Sequence, residues 1–187
     1  MITYDHIMVR FGELSTKGKN KKDFIKLLAF NIKHALKDYP TLTIDVRYDH
    51  IYIKLNDVDY HPIIDILKDV SGIHALSLVH KCEKDIEIIK QNALELVKSE
   101  SGKTFKVNCK RSDKRFPIIS DDIVRMVAPV ILKNTSLKVD VHNPDVMIYI
   151  EVRETTYVYS SVNTGCRGLP VGSSNSFFID CIKCIRR

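Results

Sequence analysis

The chain has 187 residues, of which 44% are hydrophobic and 28% are charged, as is ordinary for a globular protein that is soluble. This length allows one medium domain or two small ones, each with a buried core. No apolar run reaches the roughly 18 residues that a membrane span needs, and Asp5 and His6 lie where a signal peptide would be apolar. We therefore expect a cytoplasmic protein without a membrane partner.

The charge balance is basic. The chain has 29 Lys and Arg against 23 Asp and Glu, which gives a formal charge of +6. Such a protein tolerates or attracts polyanions, although the distribution of charge matters more than its sum. The five cysteines are odd in number and irregularly spaced, so they predict reduced cytosolic thiols rather than a disulfide framework.

The first part of the sequence predicts a ferredoxin-like module. Residues 3–12 alternate like a strand, and a helix begins near Asn20, where Asn20 and Asp23 have the spacing of a capping pair; Pro40 marks its end. The further predicted elements are strands at 42–47 and 50–55, a helix at 60–70 and a strand at 73–81. Strand, helix, two strands, helix, strand is the order of a ferredoxin-like sandwich.

A second predicted module begins with a helix at 85–98. Residues 103–110 then alternate as a strand, with apolar side chains inward and polar ones outward. The next helix spans 120–134, with Ser120 as its N-cap, and Pro129 predicts a kink or an interruption in it. The remaining predicted strands are 138–142, 146–153 and 156–162.

The strongest functional signal is a basic segment inside this second module, with six basic residues and one acid, Asp113. Its cations are Lys103, Lys106, Lys110, Arg111, Lys114 and Arg115. Like charges this close repel one another, and a phosphate backbone would relieve the repulsion and release counterions. Loop arginines could also stack on unpaired bases. The alternative, a solvated basic face, is about as well supported by this segment alone. Nucleic-acid binding requires these cations to be gathered along an edge strand and its neighbouring loop.

A second group of cations surrounds the start of the first helix. Its members are Arg10, Lys17, Lys19, Lys21 and Lys22. Cations in the first turn of a helix oppose the macrodipole, and an anion bound at the helix N-terminus would offset that cost. A lysine-rich surface turn is the slightly favoured alternative.

No catalytic, cofactor-binding or metal-binding residue is predicted. Cys181 and Cys184 form a CxxC pair, but no second CxxC or paired histidines accompany it, and an incidental pair is favoured. His6, His50 and His142 are predicted on strands, without the acids or thiols of a triad or a metal cluster.

Three ordered parts of the chain resemble bacterial tRNA 4-thiouridine synthase, a tRNA sulfurtransferase also tied to thiamine biosynthesis. They are residues 10–32 (RFGELSTKGKNKKDFIKLLAFNI), residues 104–111 (TFKVNCKR) with 143–153 (NPDVMIYIEVR), and residues 168–172 (GLPVG). The resemblance implies an α+β chain with an N-terminal ferredoxin-like domain at 1–76, an α/β THUMP domain at 77–165, and a linker with an aberrant C-terminal tail at 166–187.

The resemblance also implies a function. In that family the THUMP domain grips the 3′ CCA end of tRNA, and the ferredoxin-like domain helps to hold the acceptor stem. By position, the RNA-facing surface falls on the basic segment, with the lysines near the first helix as helpers. We expect charge reversal at Lys110 and Arg111 to weaken binding more than reversal at Lys84.

The family continues into an ATP-pyrophosphatase domain with an SGGxDS loop, whereas NSFFIDCIKCIRR follows Ser174 here. We therefore expect a tRNA-binding module that is not catalytic alone. It would need no cofactor, since ATP and Mg²⁺ belong to the catalytic domain, and a cysteine desulfurase would donate sulfur to the full-length enzyme. The alternatives are a sulfur-transfer or thiol-redox enzyme that uses Cys181 and Cys184, and a small metal-handling ferredoxin-like protein.

Overall fold

The computed structural model describes residues 4–12, 20–160 and 162–173. The secondary-structure elements in these ranges are β1 (His6–Arg10), α1 (Lys21–Ala35), β2 (Thr43–Val46), β3 (His50–Lys54), α2 (Tyr60–Lys68), β4 (Ala75–Cys82), α3 (Ile86–Ser99), β5 (Thr104–Arg111), α4 (Ser120–Asn134), β6 (Lys138–Val139), β7 (Val146–Val152), β8 (Thr156–Tyr159) and β9 (Asn163–Thr164). They divide into two compact units. The described residues of the first unit are 8–12, 20–76 and 163–173, and those of the second are 4–7, 77–160 and 162.

The first unit has the predicted ferredoxin-like order of strands and helices. Its strands lie in the order β2-β3-β1-β4, and β2 and β3 form an antiparallel hairpin. The helices bury apolar residues spaced three or four apart, such as Ile25, Leu28 and Ile32 of α1. In β3, Ile51 and Ile53 are fully buried. The amphipathic pattern of the sequence therefore fixes this unit's core.

Two details at the helix ends of the first unit differ from the predictions. The predicted cap at Asn20 is wrong, because the Asn20 backbone is already helical (φ −87°, ψ 0°) and its side chain makes no capping hydrogen bond. Helix α1 ends at Ala35, before Pro40. At α2, by contrast, the side chain of Asp59 accepts a hydrogen bond from the backbone N–H of His61 at 3.1 Å, which is a cap that the sequence pattern did not reveal.

The segment after β8 returns to the first unit, although the sequence assigns it to the end of the THUMP domain and to a linker. Strand β9, which the pattern did not predict, pairs with β4. The Arg167 N–H donates to the Ile73 carbonyl at 2.7 Å, and the Gly72 N–H donates to the Arg167 carbonyl at 2.9 Å. Pro170 is buried, and a Cβ on Gly72 would lie 2.9 Å from its Cγ, so Gly72, at φ +98°, permits this close approach. The predicted boundaries at 76 and 165 stay predictions.

The second unit is a mixed sheet with α3 and α4 packed on one face. Its strand order is β4-β8-β7-β5-β6; β7 is antiparallel to β8 and parallel to β5, and β5 is parallel to β6. The core combines Ile89 of α3 and Val127 of α4 with Phe105 and Val107 of β5. One face of β5 therefore packs in the core, and the alternate residues of the strand project from the opposite face.

The expectation that the basic strand is an edge strand is wrong, since β5 lies between β7 and β6. However, β6 pairs only with Thr104 and Phe105. It ends early because the Asp140 carboxylate accepts hydrogen bonds from the N–H groups of His142 (2.8 Å) and Asn143 (3.0 Å), which turns the chain. His142 therefore lies outside a strand, contrary to the prediction. Within the described ranges, no strand pairs with the outer side of β5 after Phe105.

Helix α4 differs from its prediction at its N-terminus. Ser120 is its first residue, and Ile119 occupies the N-cap position, so the predicted Ser120 cap is wrong. Of the two effects predicted for Pro129, the interruption does not occur, since the helix continues to Asn134, and the kink stays a prediction. A proline inside a helix costs about 3 kcal/mol. Burial of Ile123, Val127 and Ile131 stabilises by about 1.5–3 kcal/mol for each side chain, which outweighs that cost.

Candidate nucleic-acid interface

Strand β5 presents two of the predicted cations on the sheet face that lies opposite α3 and α4. Phe105 and Val107 are buried in the core, so Lys106, Asn108 and Lys110 project from the other face. Asn108 and Lys110 are exposed, and Lys106 is half-buried. The ammonium group of Lys106 donates to the Val141 carbonyl at 3.0 Å. The strand therefore holds a lysine, an amide and a second lysine in one row.

The start of this row is anchored by a carboxylate. Asp145 Oδ2 accepts hydrogen bonds from the backbone N–H groups of Lys103 (2.8 Å) and Thr104 (3.0 Å), and these bonds lower the pKa of Asp145. A Cβ on Gly102 would lie 2.9 Å from the Asp145 Cβ, so glycine allows this approach. The backbone of Lys103 is thus fixed, while its side chain is exposed.

The loop after β5 is organised around Asp113, whose carboxylate accepts hydrogen bonds from Lys84 Nζ at 2.9 Å and Arg115 Nε at 3.1 Å. These two cations, Lys84 first, hold the pKa of Asp113 well below its usual range. The Asp113 side chain is only 9% exposed, whereas that of Arg115 is 84% exposed. Arg115 is therefore oriented by a carboxylate and still open to solvent, and Lys114 beside it is exposed.

Lys84 consequently belongs to the same cluster as Arg115. Reversing the charge of Lys84 would place two carboxylates next to one another and disturb the loop, so Lys84 is not an independent control for this cluster. The expectation that reversal at Lys110 and Arg111 weakens binding more than reversal at Lys84 stays a prediction. Only proximity in space connects Lys84 with Asp113, which is 29 residues away, and the sequence carried no signal for it.

Arg111 is half-buried and braces the loop. Its guanidinium Nη1 donates to the Phe116 carbonyl at 2.9 Å, and its backbone N–H donates to Ser120 Oγ at 3.2 Å. Phe116 itself is buried in the core. These bonds place Arg111 between the strand, the loop and the start of α4, so its geometry fits a positioning role better than a direct contact with RNA.

The second predicted group of cations, in the first unit, is less well presented. Lys21 is only 8% exposed, and its ammonium group lies 3.7 Å from the centroid of the Tyr48 ring, so it does not fit the predicted role of an exposed RNA contact. Lys22 is exposed and Arg10 is half-buried. Lys17 and Lys19 lie outside the described residues.

No observation in the described part of the chain supports the two alternatives, which are a sulfur-transfer or thiol-redox enzyme and a metal-handling protein. Burial raises the pKa of both Cys82 and Cys109 to about 11, so these thiols are protonated at neutral pH. Cys181 and Cys184 lie outside the described residues. No group of three or more potential metal ligands occurs among residues 4–12, 20–160 and 162–173, and no helix within those ranges is long and apolar enough to cross a bilayer.

Two family models match the chain and agree with the predicted pair of modules. The ThiI ferredoxin-like domain matches residues 6–77, and the THUMP domain matches residues 83–161. The chain is also similar to curated proteins named probable tRNA sulfurtransferase. It is 46% identical to the one from Anoxybacillus flavithermus, over 92% of this chain and 45% of the relative, and 44% identical to the one from Geobacillus kaustophilus, over 92% and 44%. The chain thus spans about half the length of the curated relatives it matches.

Solved structures with similar folds include a 4-thiouridine synthetase in complex with RNA and ATP. That structure has a TM-score of 0.78 at 30% identity and covers 91% of this chain and 44% of its own. A protein from Pyrococcus horikoshii has a TM-score of 0.79 at 30% identity, over 90% of this chain and 57% of its own. TrmN from Thermus thermophilus shares the fold, with a TM-score of 0.59 at 15% identity, over 88% and 46%.

Proposed function

Because the chain belongs to the family of the ThiI ferredoxin-like and THUMP domains, we propose that it is a tRNA-binding module. The observation that carries the proposal is the group of cations on β5 and its loop, of which Lys106 and Lys110 lie on the sheet face away from the core. The exposed members are Lys103, Lys110, Lys114 and Arg115, with Lys106 half-buried beside them. The similar 4-thiouridine synthetase was solved in complex with RNA, which supports RNA as the class of ligand.

Phosphate contacts supply most of the affinity in this proposal, and the shape of the RNA end supplies the selectivity. Asp113 is the acidic residue of the basic segment, and its charge is already compensated by Lys84 and Arg115. Lys103, Lys110 and Lys114 are exposed to water, where an RNA backbone can displace their counterions. Arg115 can also lie flat on an unpaired base, since its guanidinium is exposed and held at one end.

Within this proposal, the parts of tRNA that the module binds are the acceptor stem and the 3′ CCA end. Under the same proposal the module works in the cytoplasm and binds RNA without a cofactor. In the full-length enzyme, an ATP-pyrophosphatase domain would use ATP and Mg²⁺, and a cysteine desulfurase would supply sulfur.

The test is a titration of tRNA, with and without its CCA end, at two salt concentrations. With four phosphate contacts to single-stranded RNA, a fourfold rise in salt should weaken binding about 50-fold. Loss of the CCA end should weaken binding about tenfold, as expected for the loss of one or two stacked bases. Binding that is insensitive to salt would contradict the proposed interface, and equal binding of the two tRNAs would contradict the assignment to the CCA end.

A further inference from the structure

The sheet face that carries Lys106 and Lys110 also carries an aromatic side chain in register with them. In the pairing of β5 with β7, Asn108 lies beside Tyr149, and in the pairing of β7 with β8, Tyr149 lies beside Tyr159. Paired residues of neighbouring strands project from the same face. Asn108, Tyr149 and Tyr159 therefore form one row across three strands, opposite the face covered by α3 and α4.

The ring of Tyr149 is stacked on one side, and the residue as a whole is half-buried. It stacks on Tyr159, with 5.0 Å between the ring centroids and 14° between the planes. Tyr159 is 1% exposed, and its hydroxyl donates to Glu151 Oε1 at 2.7 Å. Because β7 lies between β8 and β5, the other face of the Tyr149 ring is directed toward β5 and Asn108.

Asn108 is the residue of β5 that pairs with Tyr149. Its side chain is short and exposed, and its neighbours on the same face, Lys106 and Lys110, lie two residues away in each direction, which is about 6.6 Å along a strand. Strand β6 pairs with β5 only at Thr104 and Phe105, so within the described residues no strand borders Asn108 on the outer side. The exposed Asn108 amide therefore lies beside one aromatic ring, with a lysine two residues away on each side. We call this arrangement of Tyr149, Asn108, Lys106 and Lys110 the slot.

The charges around the slot favour a phosphate-bearing ligand. Lys110 is exposed, and Lys106, which donates to the Val141 carbonyl, has two further N–H donors. The neighbouring acid, Glu151, is paired with Arg153 Nη2 at 2.9 Å and accepts the Tyr159 hydroxyl, so its charge is compensated. A purely apolar ligand would gain nothing from the two lysines.

We propose that this slot is a base-binding subsite, in which one unpaired RNA base stacks on Tyr149 above Asn108. The Asn108 amide offers a donor and an acceptor to the base edge, and Lys106 and Lys110 contact the flanking phosphates. The stack on Tyr159 and the Tyr159–Glu151–Arg153 contacts fix the Tyr149 ring before the base arrives. The subsite rests on the proposed function and deepens it, because it makes one unpaired base a determinant of recognition.

The experiment uses the full chain and an RNA hairpin with a single-stranded 3′ ACCA end, in which the terminal adenine is replaced by 2-aminopurine. Affinity and 2-aminopurine fluorescence are measured for wild type, Tyr149→Phe and Tyr149→Leu. Phenylalanine keeps the flat ring and removes only the hydroxyl, whereas leucine removes the stacking face. We expect wild-type affinity and quenching of the fluorophore with Tyr149→Phe, and about a 5- to 100-fold loss of affinity with reduced quenching for Tyr149→Leu.

A second pair of variants tests the space itself and is independent of the Tyr149 stack. Asn108→Leu fills the slot from an exposed strand position, whereas Asn108→Ser leaves it open. We expect Asn108→Leu to weaken binding of the ACCA hairpin at least fivefold and Asn108→Ser to weaken it less. Thermal unfolding of all four variants shows whether each one folds.

The outcomes separate the subsite from the proposed function. If the wild-type chain binds the hairpin with strong salt dependence but the leucine and phenylalanine variants of Tyr149 bind equally well, the subsite is overturned and the tRNA-binding proposal stands. If Tyr149→Leu unfolds, equal binding by the two Asn108 variants overturns the subsite instead. If the wild-type chain does not bind the hairpin at all, both the subsite and the proposed function are overturned.

Discussion

The two basic regions of this chain are both rich in lysine, but their described residues present the cations differently. Around β5, the cations lie on a paired strand and a braced loop, where they are exposed or half-buried, and Lys106 and Lys110 lie on the face away from the core. At the start of α1, Lys21 is buried over the Tyr48 ring, and Lys22 is exposed beside an acid that is also exposed, Asp23. Charge count alone cannot distinguish the two regions. The support behind each cation and its exposure decide whether it can meet a polyanion.

The largest expected effect is the loss of tRNA affinity when two charges on β5 and its loop are reversed. Lys110→Glu together with Lys114→Glu removes two exposed cations and adds two repulsive charges, so tRNA affinity should fall about 100-fold in low salt, as lost charge-assisted contacts imply. Fluorescence anisotropy with labelled tRNA measures it.

The matched control for this double variant is Lys98→Glu, an exposed lysine of α3, the helix that packs on the opposite face of the sheet. It should change tRNA affinity less than threefold, because long-range effects between exposed charges are screened by salt. Equal losses in the control and the double variant would mean that the binding responds to net charge and not to this face.

A smaller effect is expected from Arg111→Lys, which keeps the charge. Lysine cannot reproduce the hydrogen bond from Nη1 to the Phe116 carbonyl, so the free energy of unfolding should fall by about 0.5–1.5 kcal/mol in urea unfolding. The salt dependence of tRNA binding should stay as in wild type, because the number of cations is unchanged. A change in that slope without a loss of stability would make Arg111 a direct RNA contact instead.

Lys21 tests the comparison from the side of the basic region at the start of α1. Lys21→Met should leave tRNA affinity within twofold of wild type, since the ammonium group is turned onto Tyr48 and not to solvent. A double-mutant cycle of Lys21→Met with Tyr48→Ala should give a coupling of about 0.5–1 kcal/mol in the free energy of unfolding. A large loss of tRNA affinity with no coupling to Tyr48 would return Lys21 to the interface.

The smallest expected effect is on thermal stability and depends on pH only in the acidic range. The folded-state pKa of Asp113 lies below its ordinary value of 3.8, so its ion pairs stabilise the fold fully above that value and lose their contribution as the pH falls below it. The difference in Tm between wild type and Asp113→Asn should therefore be constant from about pH 5 upward and shrink below about pH 4. A difference that grew on acidification would contradict the assigned pairing with Lys84 and Arg115.

Local pattern predicted much of this molecule. The alternation of β5 gave its core face, and the three-to-four-residue spacing of apolar residues gave all four helices within a few residues of their ends. The resemblance to a tRNA sulfurtransferase is confirmed at the level of the two domains. The sequence could do this because burial of one face dominates the energy of each element.

The remaining features depend on contacts between distant residues. No local pattern shows that Lys84 shares a carboxylate with Arg115, or that Tyr149 stands beside Asn108. Packing between the segments after β4 and β5 brings the first pair together, and strand register brings the second together. Strand β9 was missed because it has only two residues and gains its stability from pairing with β4. The buried position of Lys21 depends on Tyr48, 27 residues along the chain, which the basic run around it conceals.

The most direct test of the proposed interface is the slope of log affinity against log salt for wild type and Lys110→Gln. If Lys110 contacts an RNA phosphate, the neutral variant should lose about 0.7–0.9 from the magnitude of the slope, which is the loss expected for one released counterion. Identical slopes for the two proteins would show that Lys110 contacts no phosphate, and would contradict the placement of RNA on this face of β5.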